Sequence, residues 1–265
     1  MTRLLERRAV EKVWGVDSLP DYLGMADDSR IGEIWFEPPA AFDRVLVKYL
    51  FTSEKLSIQC HPDDAQAKAK GLRSGKEECW LILEAGPNAQ VGLGLVEELG
   101  PEELRSAALD GSIEDLLDWR AVQPGDFFRV PAGTIHAIGA DVTLLEIQQN
   151  TDVTYRLYDY GRPRELHLED GMAAALPCPY PADHARRSEA AGRQRLLDGP
   201  KLIVELVHSG DAAGRTALSG RGLAIPLEGT MSLESMDVSP GECALIDDLA
   251  QAQVTDGRCI FAQPA

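Results

Sequence analysis

The sequence predicts a mainly β fold, and three observations carry that prediction. Glycine (24) and proline (16) punctuate the chain at short intervals, as a turn-rich β protein requires. The apolar runs between them are short, and several alternate apolar with polar residues, the period of a half-buried strand. Helical spacing is confined to a few short stretches, chiefly residues 96–120. With 265 residues and 44% apolar content, the chain can bury one large core or two smaller ones.

In chain order, Lys12-Val13-Trp14-Gly15 opens a first strand, and Gly32 to Glu37 alternates before Pro38-Pro39. Val45 to Phe51 is apolar apart from Lys48, so that lysine is either a snorkelling edge residue or a group aimed into a polar pocket. Lys55 to Pro62 reads as a strand with Leu56, Ile58 and Cys60 on one face and Ser57, Gln59 and His61 on the other. Asp63-Asp64 starts a short helix that ends at Gly71. Gly75-Lys76-Glu77-Glu78 is a charged turn entering another strand. Pro101-Glu102-Glu103-Leu104 resembles a helix start; Leu104, Ala107 and Ala108, then Ile113, Leu116 and Leu117, follow at helical spacing, a small helical insertion at about 96–120.

Pro124-Gly125 is a turn, Phe127 to Val130 a short buried strand, and Pro131-Ala132-Gly133 a second break with His136 just beyond it. Such a histidine is a metal ligand or a neutral hydrogen-bonded loop residue; the stretch alone leaves both open. Val142 to Gln148 places Leu144, Glu146 and Gln148 on one face, and Val153 to Asp159 places Thr154, Arg156 and Tyr158 together. Glu146 and Arg156 could pair on adjacent strands. Residues 176–200, with Pro177, Pro179, Pro181 and Gly199-Pro200, read as a linker. Short strands resume over 201–265. There, Ser239-Pro240-Gly241-Glu242 echoes Gln123-Pro124-Gly125-Asp126, which predicts one β unit used twice, without a histidine in the second copy.

The net charge of −17 argues against nucleic acid and anionic membranes, whose recognition needs clustered Lys and Arg. Five cysteines, an odd number without a CxxC pair, read as free thiols in a reducing compartment. The N-terminal residues lack an apolar core of signal-peptide length, and no apolar run reaches membrane-spanning length. A cytoplasmic protein is expected. Gln59, His61, Glu78 and His136 could converge, and two imidazoles, a carboxylate and an amide oxygen suit Zn²⁺ or another divalent first-row ion.

The segments Leu56 to Asp64, Gly75 to Trp80, Pro131 to Ala137, and Leu145 to Gln149 leading to Thr154–Arg162 together resemble the type I phosphomannose isomerases in their short bacterial form. Lys12-Val13-Trp14-Gly15 and Gly32-Glu33-Ile34-Trp35 are similar to that family's N-terminal signatures. The resemblance spans residues 12 to about 167, in family order. It implies a cupin-type β-barrel (jelly roll) with a second, smaller, degenerate cupin-like β domain: a catalytic unit at 1–175, a linker at 176–200 and a metal-free unit at 201–265. It implies one divalent metal, typically zinc, on His61, Glu78 and His136, with Gln59 a fourth ligand in some members. Arg156 falls on the family's catalytic arginine and Lys76 on its active-site lysine. Glu77 departs from the family's Thr or Pro and is expected to add negative charge beside the site.

The activity implied is aldose–ketose isomerisation between mannose 6-phosphate and fructose 6-phosphate through a cis-enediol(ate). That chemistry needs a base near the reacting carbons and a positive group at the developing oxyanion. Glu146 is the candidate base, with Lys76 a competitor, and Arg156 the candidate oxyanion partner. Lys48, Arg162 and Arg164 are candidates for holding a phosphate. The partner expected is a small phosphosugar, the assembly a monomer or homodimer. Two alternatives stay open: an isomerase of another aldose or sugar phosphate, and a non-catalytic sugar-binding or regulatory cupin. Retention of Lys76, Glu146 and Arg156 beside the ligands favours an enzyme.

Overall fold

In a computed structural model, residues 2–25, 29–210, 214–233 and 236–265 are described. Among the described residues the chain builds three stacked antiparallel sheets and a two-stranded ribbon, Met231–Leu233 with Met236–Val238. The middle sheet has seven strands, in the order Ala185–Arg187, Asp126–Val130, Glu78–Ala85, Val142–Gln149, Val45–Thr52, Ile31–Glu37, Glu6–Val16. One flanking sheet has five: Tyr155–Tyr158, Ile58–Cys60, His136–Ile138, Gln90–Leu95, Leu117–Ala121. The other has six: Arg3–Leu4, Ala244–Ile246, Gly222–Glu228, Arg258–Pro264, Leu202–His208, Arg193–Asp198.

The middle sheet is covered on both faces, which explains why Val45–Thr52 is buried at every position. Leu50, Trp80, Ile82, Phe128 and Leu144 pack with Val91, Leu93 and Ile138 of the five-stranded sheet. Phe36, Val47, Tyr49, Leu81 and Ile147 point the other way, onto Val204, Leu206, Ile225 and Ile260 of the six-stranded sheet. The two faces alternate along each strand, as a period of two demands. The five- and seven-stranded sheets close into the cupin-type barrel, and the six-stranded sheet, which takes in Arg3–Leu4 as well as the last strands, adds an outer core of its own around Phe261, Ala244 and Met231.

Helix Pro101–Asp110 is closed at its start by Glu103, which accepts from the Gly100 N–H at 2.8 Å. A second short helix, Ile113–Leu116, follows. The helical spacing does not continue: Leu117 turns extended (φ −73°, ψ 133°) and begins the strand Leu117–Ala121. Its side chain stays in the same cluster as Leu104 and Ile113, so the burial that imitated a helix period is real but belongs to a strand. The strand expected over 55–62 is ladder-paired only at Ile58–Cys60. Residues 176–200, read from sequence as a linker, hold Ala185–Arg187, an edge of the middle sheet, and Arg193–Asp198, an edge of the six-stranded one.

The echo between Gln123-Pro124-Gly125-Asp126 and Ser239-Pro240-Gly241-Glu242 is a shared turn. In each, proline precedes a glycine of positive φ (92° and 86°). In each, the acid's carboxylate accepts from the first residue's N–H at 2.9 Å. Only glycine takes that conformation without strain, as a type II turn requires. The five cysteines are free; four are buried and Cys178 is half-buried. No helix among the described residues is long and apolar enough to cross a membrane.

Candidate active site

The short ladder at Ile58–Cys60 brings Gln59 opposite His136 on one side and Arg156 on the other. In the middle sheet, Glu78 faces Gln148, and Glu146 faces both Lys48 and Trp80. The two sheets therefore aim His61, Gln59 and His136 at Glu78 and Glu146 across the barrel. One ligand atom from each of His61, Glu78 and His136 lies within 4.8 Å of the others, and all three residues are buried. The Nε2 atoms of His61 and His136 are each 3.6 Å from a Glu78 oxygen.

Second partners orient these groups. His61 Nδ1 donates to the Val153 carbonyl and His136 Nδ1 to the Thr134 carbonyl, both at 2.9 Å. That fixes the tautomer that leaves each Nε2 lone pair inward, as a metal-ligating histidine needs. Trp80 Nε1 donates to Glu78 Oε1 at 3.1 Å, while the buried Oε2 faces the Lys76 ammonium at 2.7 Å. Burial and then Lys76 pull the His61 imidazole down to about 3, so it is neutral; burial lowers His136 as well. Burial works against ionisation of Glu78, but the Lys76 ammonium beside it outweighs burial and holds the carboxyl well below its usual range. Two neutral imidazoles and a carboxylate, aimed at one point, fit a tetrahedral divalent site with one position left for a fourth donor. Gln59 has its amide nitrogen 3.2 Å from His136 Nε2, and its amide oxygen accepts from Ser57 Oγ; turning the amide over would present the oxygen to the site.

The cluster opens into a cavity of about 290 Å³ lined by Lys48, Lys76, Glu146, Arg156 and Arg164 among others. Lys48 is 2% exposed, so of its two readings the polar pocket is correct. It lies 3.4 Å from Glu146 and 4.2 Å above the Trp35 ring. Lys76 lies 3.7 Å from Glu146. Burial, then Glu78, pushes the Glu146 carboxyl up despite both ammoniums. Glu146 and Arg156 are in different sheets; the Arg156 guanidinium donates to the Glu165 carbonyl at 3.2 Å. Arg164 is gripped through two bonds of 2.7 Å to buried Asp159. Arg162 turns away, to Glu54 and the Lys55 carbonyl, and does not line the cavity. Glu77 does not line the cavity either: alternation turns it away, to Arg129 at 3.2 Å.

Sequence reasoning passed over Glu33. It lines the cavity, accepts from Trp35 Nε1 at 2.5 Å and pairs with Lys12 at 3.3 Å. Burial resists its ionisation, yet Lys48 and Lys12 hold its carboxyl below the usual range. The signal was present: Glu33 shares a strand face with Trp35 while Ile34 and Phe36 face the opposite core.

No family model matches the chain. It is 36% identical over 180 residues to mannose-6-phosphate isomerase ManA of Bacillus subtilis, covering 63% of this chain and 57% of that protein. It is 42% identical over 134 residues to mannose-6-phosphate isomerase of Streptococcus mutans, covering 48% and 42%. The chain thus spans about half the length of the curated relatives it matches. In fold it is similar to the crystal structure of the Bacillus subtilis mannose 6-phosphate isomerase (TM-score 0.78, 24% identity, 98% of each chain). It is also similar to a zinc-bound mannose 6-phosphate isomerase (TM-score 0.72, 15% identity, 99% of each). The resemblance read from the motifs is borne out, as is the cupin-type fold it implied.

Proposed function

We propose that the chain is a metal-dependent aldose–ketose isomerase that interconverts mannose 6-phosphate and fructose 6-phosphate. The observation that carries this reading is the convergence of His61, Glu78 and His136 on one point at the end of a cavity that also holds Lys76, Glu146 and Arg156. Zinc is the metal proposed, held by those three side chains with Gln59 as the fourth. When bound it supplies a Lewis acid that polarises sugar oxygens. The relatives named for this reaction support it, as does the fit of the donor set.

The remaining roles follow from placement. Glu146 is a buried carboxylate facing the cavity, the group best placed to take a proton from carbon and return it to the neighbouring carbon. Lys76 is flanked by Glu78 and Glu146 and serves as a fixed cation that keeps both carboxylates aligned. Arg156 presents a permanent positive charge where the enediolate oxygen develops. Arg164, locked on Asp159, is the cation we place at the phosphate; the outward turn of Arg162 removes it from that role. The sheets built mainly from 1–175 carry the chemistry, 176–200 add an edge strand to each of the middle and six-stranded sheets, and 201–265 form a metal-free support. The site needs no residue from a second chain, which fits a monomer and tolerates a homodimer. A cytoplasmic setting suits the free thiols.

The test is a coupled assay of mannose 6-phosphate conversion, with chelator and with zinc restored. Turnover that chelator abolishes and zinc returns is expected. No turnover of any hexose phosphate by fully loaded protein would leave the sugar-binding cupin as the reading.

A further inference from the structure

On the other side of the loop that carries Lys76 lies a second cleft, of about 350 Å³. Arg44, Lys68, Arg73 and Lys201 converge on it from four separate places in the sequence. Two carboxylates answer them: Asp43 pairs with Arg73 at 2.6 Å, and Asp64 pairs with Lys201. Arg44 donates to a backbone oxygen of Ala265 at 3.1 Å. Among the described residues Lys68 is in no ion pair, so four cations meet two side-chain carboxylates in the cleft. The chain has 43 acidic residues against 26 basic ones, and its field as a whole repels anions. A cleft that gathers four cations in such a chain is complementary to an anion. Guanidinium forks beside ammonium groups are the donors that phosphate oxygens take.

We propose that this cleft is a second anion site, apart from the active cavity, for a small phosphate-bearing molecule held by Arg44, Lys68, Arg73 and Lys201. Its position ties it to the chemistry. Asp64 accepts from the Gly75 N–H at 2.9 Å and from Gln149 Nε2 at 3.0 Å. Gln149 in turn accepts from the Glu77 N–H at 3.0 Å. An anion that draws Lys201 from Asp64 acts on the carboxylate that anchors the loop leading into Lys76 and Glu78.

Equilibrium dialysis of metal-loaded protein with labelled inorganic phosphate at low ionic strength tests the site. The double variant Arg44→Ala/Lys68→Glu changes two side chains that support no core contact; circular dichroism and metal content check that it folds. It is expected to bind one phosphate fewer per chain than the wild type, or to bind it at least tenfold more weakly. An unchanged count overturns the proposal. So does a count that falls in Arg164→Ala alone, which would assign all bound phosphate to the active cavity. A count that falls in the double variant and not in Arg164→Ala supports the cleft while removing support from the phosphosugar reading of the cavity. Displacement of the cleft's label by glycerol 3-phosphate at lower concentration than by phosphate identifies a phosphomonoester as its ligand, and the reverse order identifies free phosphate. Equal displacement by chloride overturns the site.

Discussion

Lys48→Met asks whether the charged wall of the cavity is held together by its ion pairs. Lys48 is 2% exposed and its ammonium is 3.4 Å from Glu146. Methionine keeps most of the apolar stem and deletes the charge. At an effective dielectric of about 20, a pair at that distance has a Coulomb energy of about 5 kcal/mol. Removing the ammonium also removes its own desolvation penalty, several kcal/mol, which offsets much of that loss. What remains is a buried carboxylate short of a partner, and breaking a buried pair in this way costs about 3–5 kcal/mol. Glu146 keeps Lys76 at 3.7 Å, so the expected loss is at the lower end, about 3 kcal/mol. At about 2–4 °C per kcal/mol for a chain near this size, Tm should fall by about 6–12 °C. The assay is urea unfolding of the metal-loaded Lys48→Met, Glu146→Gln and double variants, with calorimetry for Tm. Glu146→Gln removes the charge that Lys48 neutralises, so the double variant should lose less than the sum of the singles by more than about 1 kcal/mol. Losses that add to within about 0.5 kcal/mol would refute the pairing argument.

His136→Ala should cut bound metal, measured by elemental mass spectrometry, from one equivalent to a small fraction; retention of a full equivalent would contradict the ligand set. Arg156→Ala should lower kcat/KM by about 10²–10³, the scale of losing one transition-state oxyanion partner, with metal content unchanged; turnover near wild type would remove Arg156 from the chemistry. Gly94→Ala should destabilise by more than about 2 kcal/mol in chemical unfolding, because Gly94 has φ +66° and a Cβ there would meet the Tyr180 backbone nitrogen at 2.5 Å; a neutral substitution would show that the segment carrying Tyr180 yields. Acid unfolding should show Asp64, whose carboxyl is held at about 2, against 3.8 ordinarily, first by Lys201 and then by Gln149. A depressed folded-state value means that its stabilisation is present above about pH 4 and lost as pH falls through about 2. Its side chain is 42% exposed, and solvent screening limits the effect to about 1 kcal/mol. Lys201→Ala should therefore be less stable than wild type at neutral pH and lose that deficit below about pH 2; a deficit that persists unchanged there would mean the pair contributes nothing electrostatic.

Local pattern sufficed wherever one face of one element decided the outcome. The period of two in Gly32 to Glu37 and in Val142 to Gln148, the Pro-Gly turns, and the grouping of Gln59 with His61 needed no partner to be read, because a strand turns successive side chains to opposite faces whatever lies across from it. The proposed metal ligands could be named from motif resemblance. Their 4.8 Å convergence was not, since it depends on how two sheets close over one another. The same limit explains the misread elements. Leu117 is buried beside Leu104 and Ile113, and burial alone imitated helical spacing. Residues 176–200 are poor in long apolar runs because their strands lie at sheet edges, and an edge strand takes its place from the ladder it joins. Charge partners were the least visible. Lys48 to Glu146, Arg164 to Asp159, Glu77 to Arg129 and Lys201 to Asp64 include pairs far apart in sequence. A charged residue's local pattern does not say which opposite charge it will meet. Composition and local period were enough for a mainly β chain with a set of candidate ligands and catalytic groups. Which of those charges face one cavity and which are turned away was set by the folded sheets, because it depends on register and packing between residues far apart in the chain.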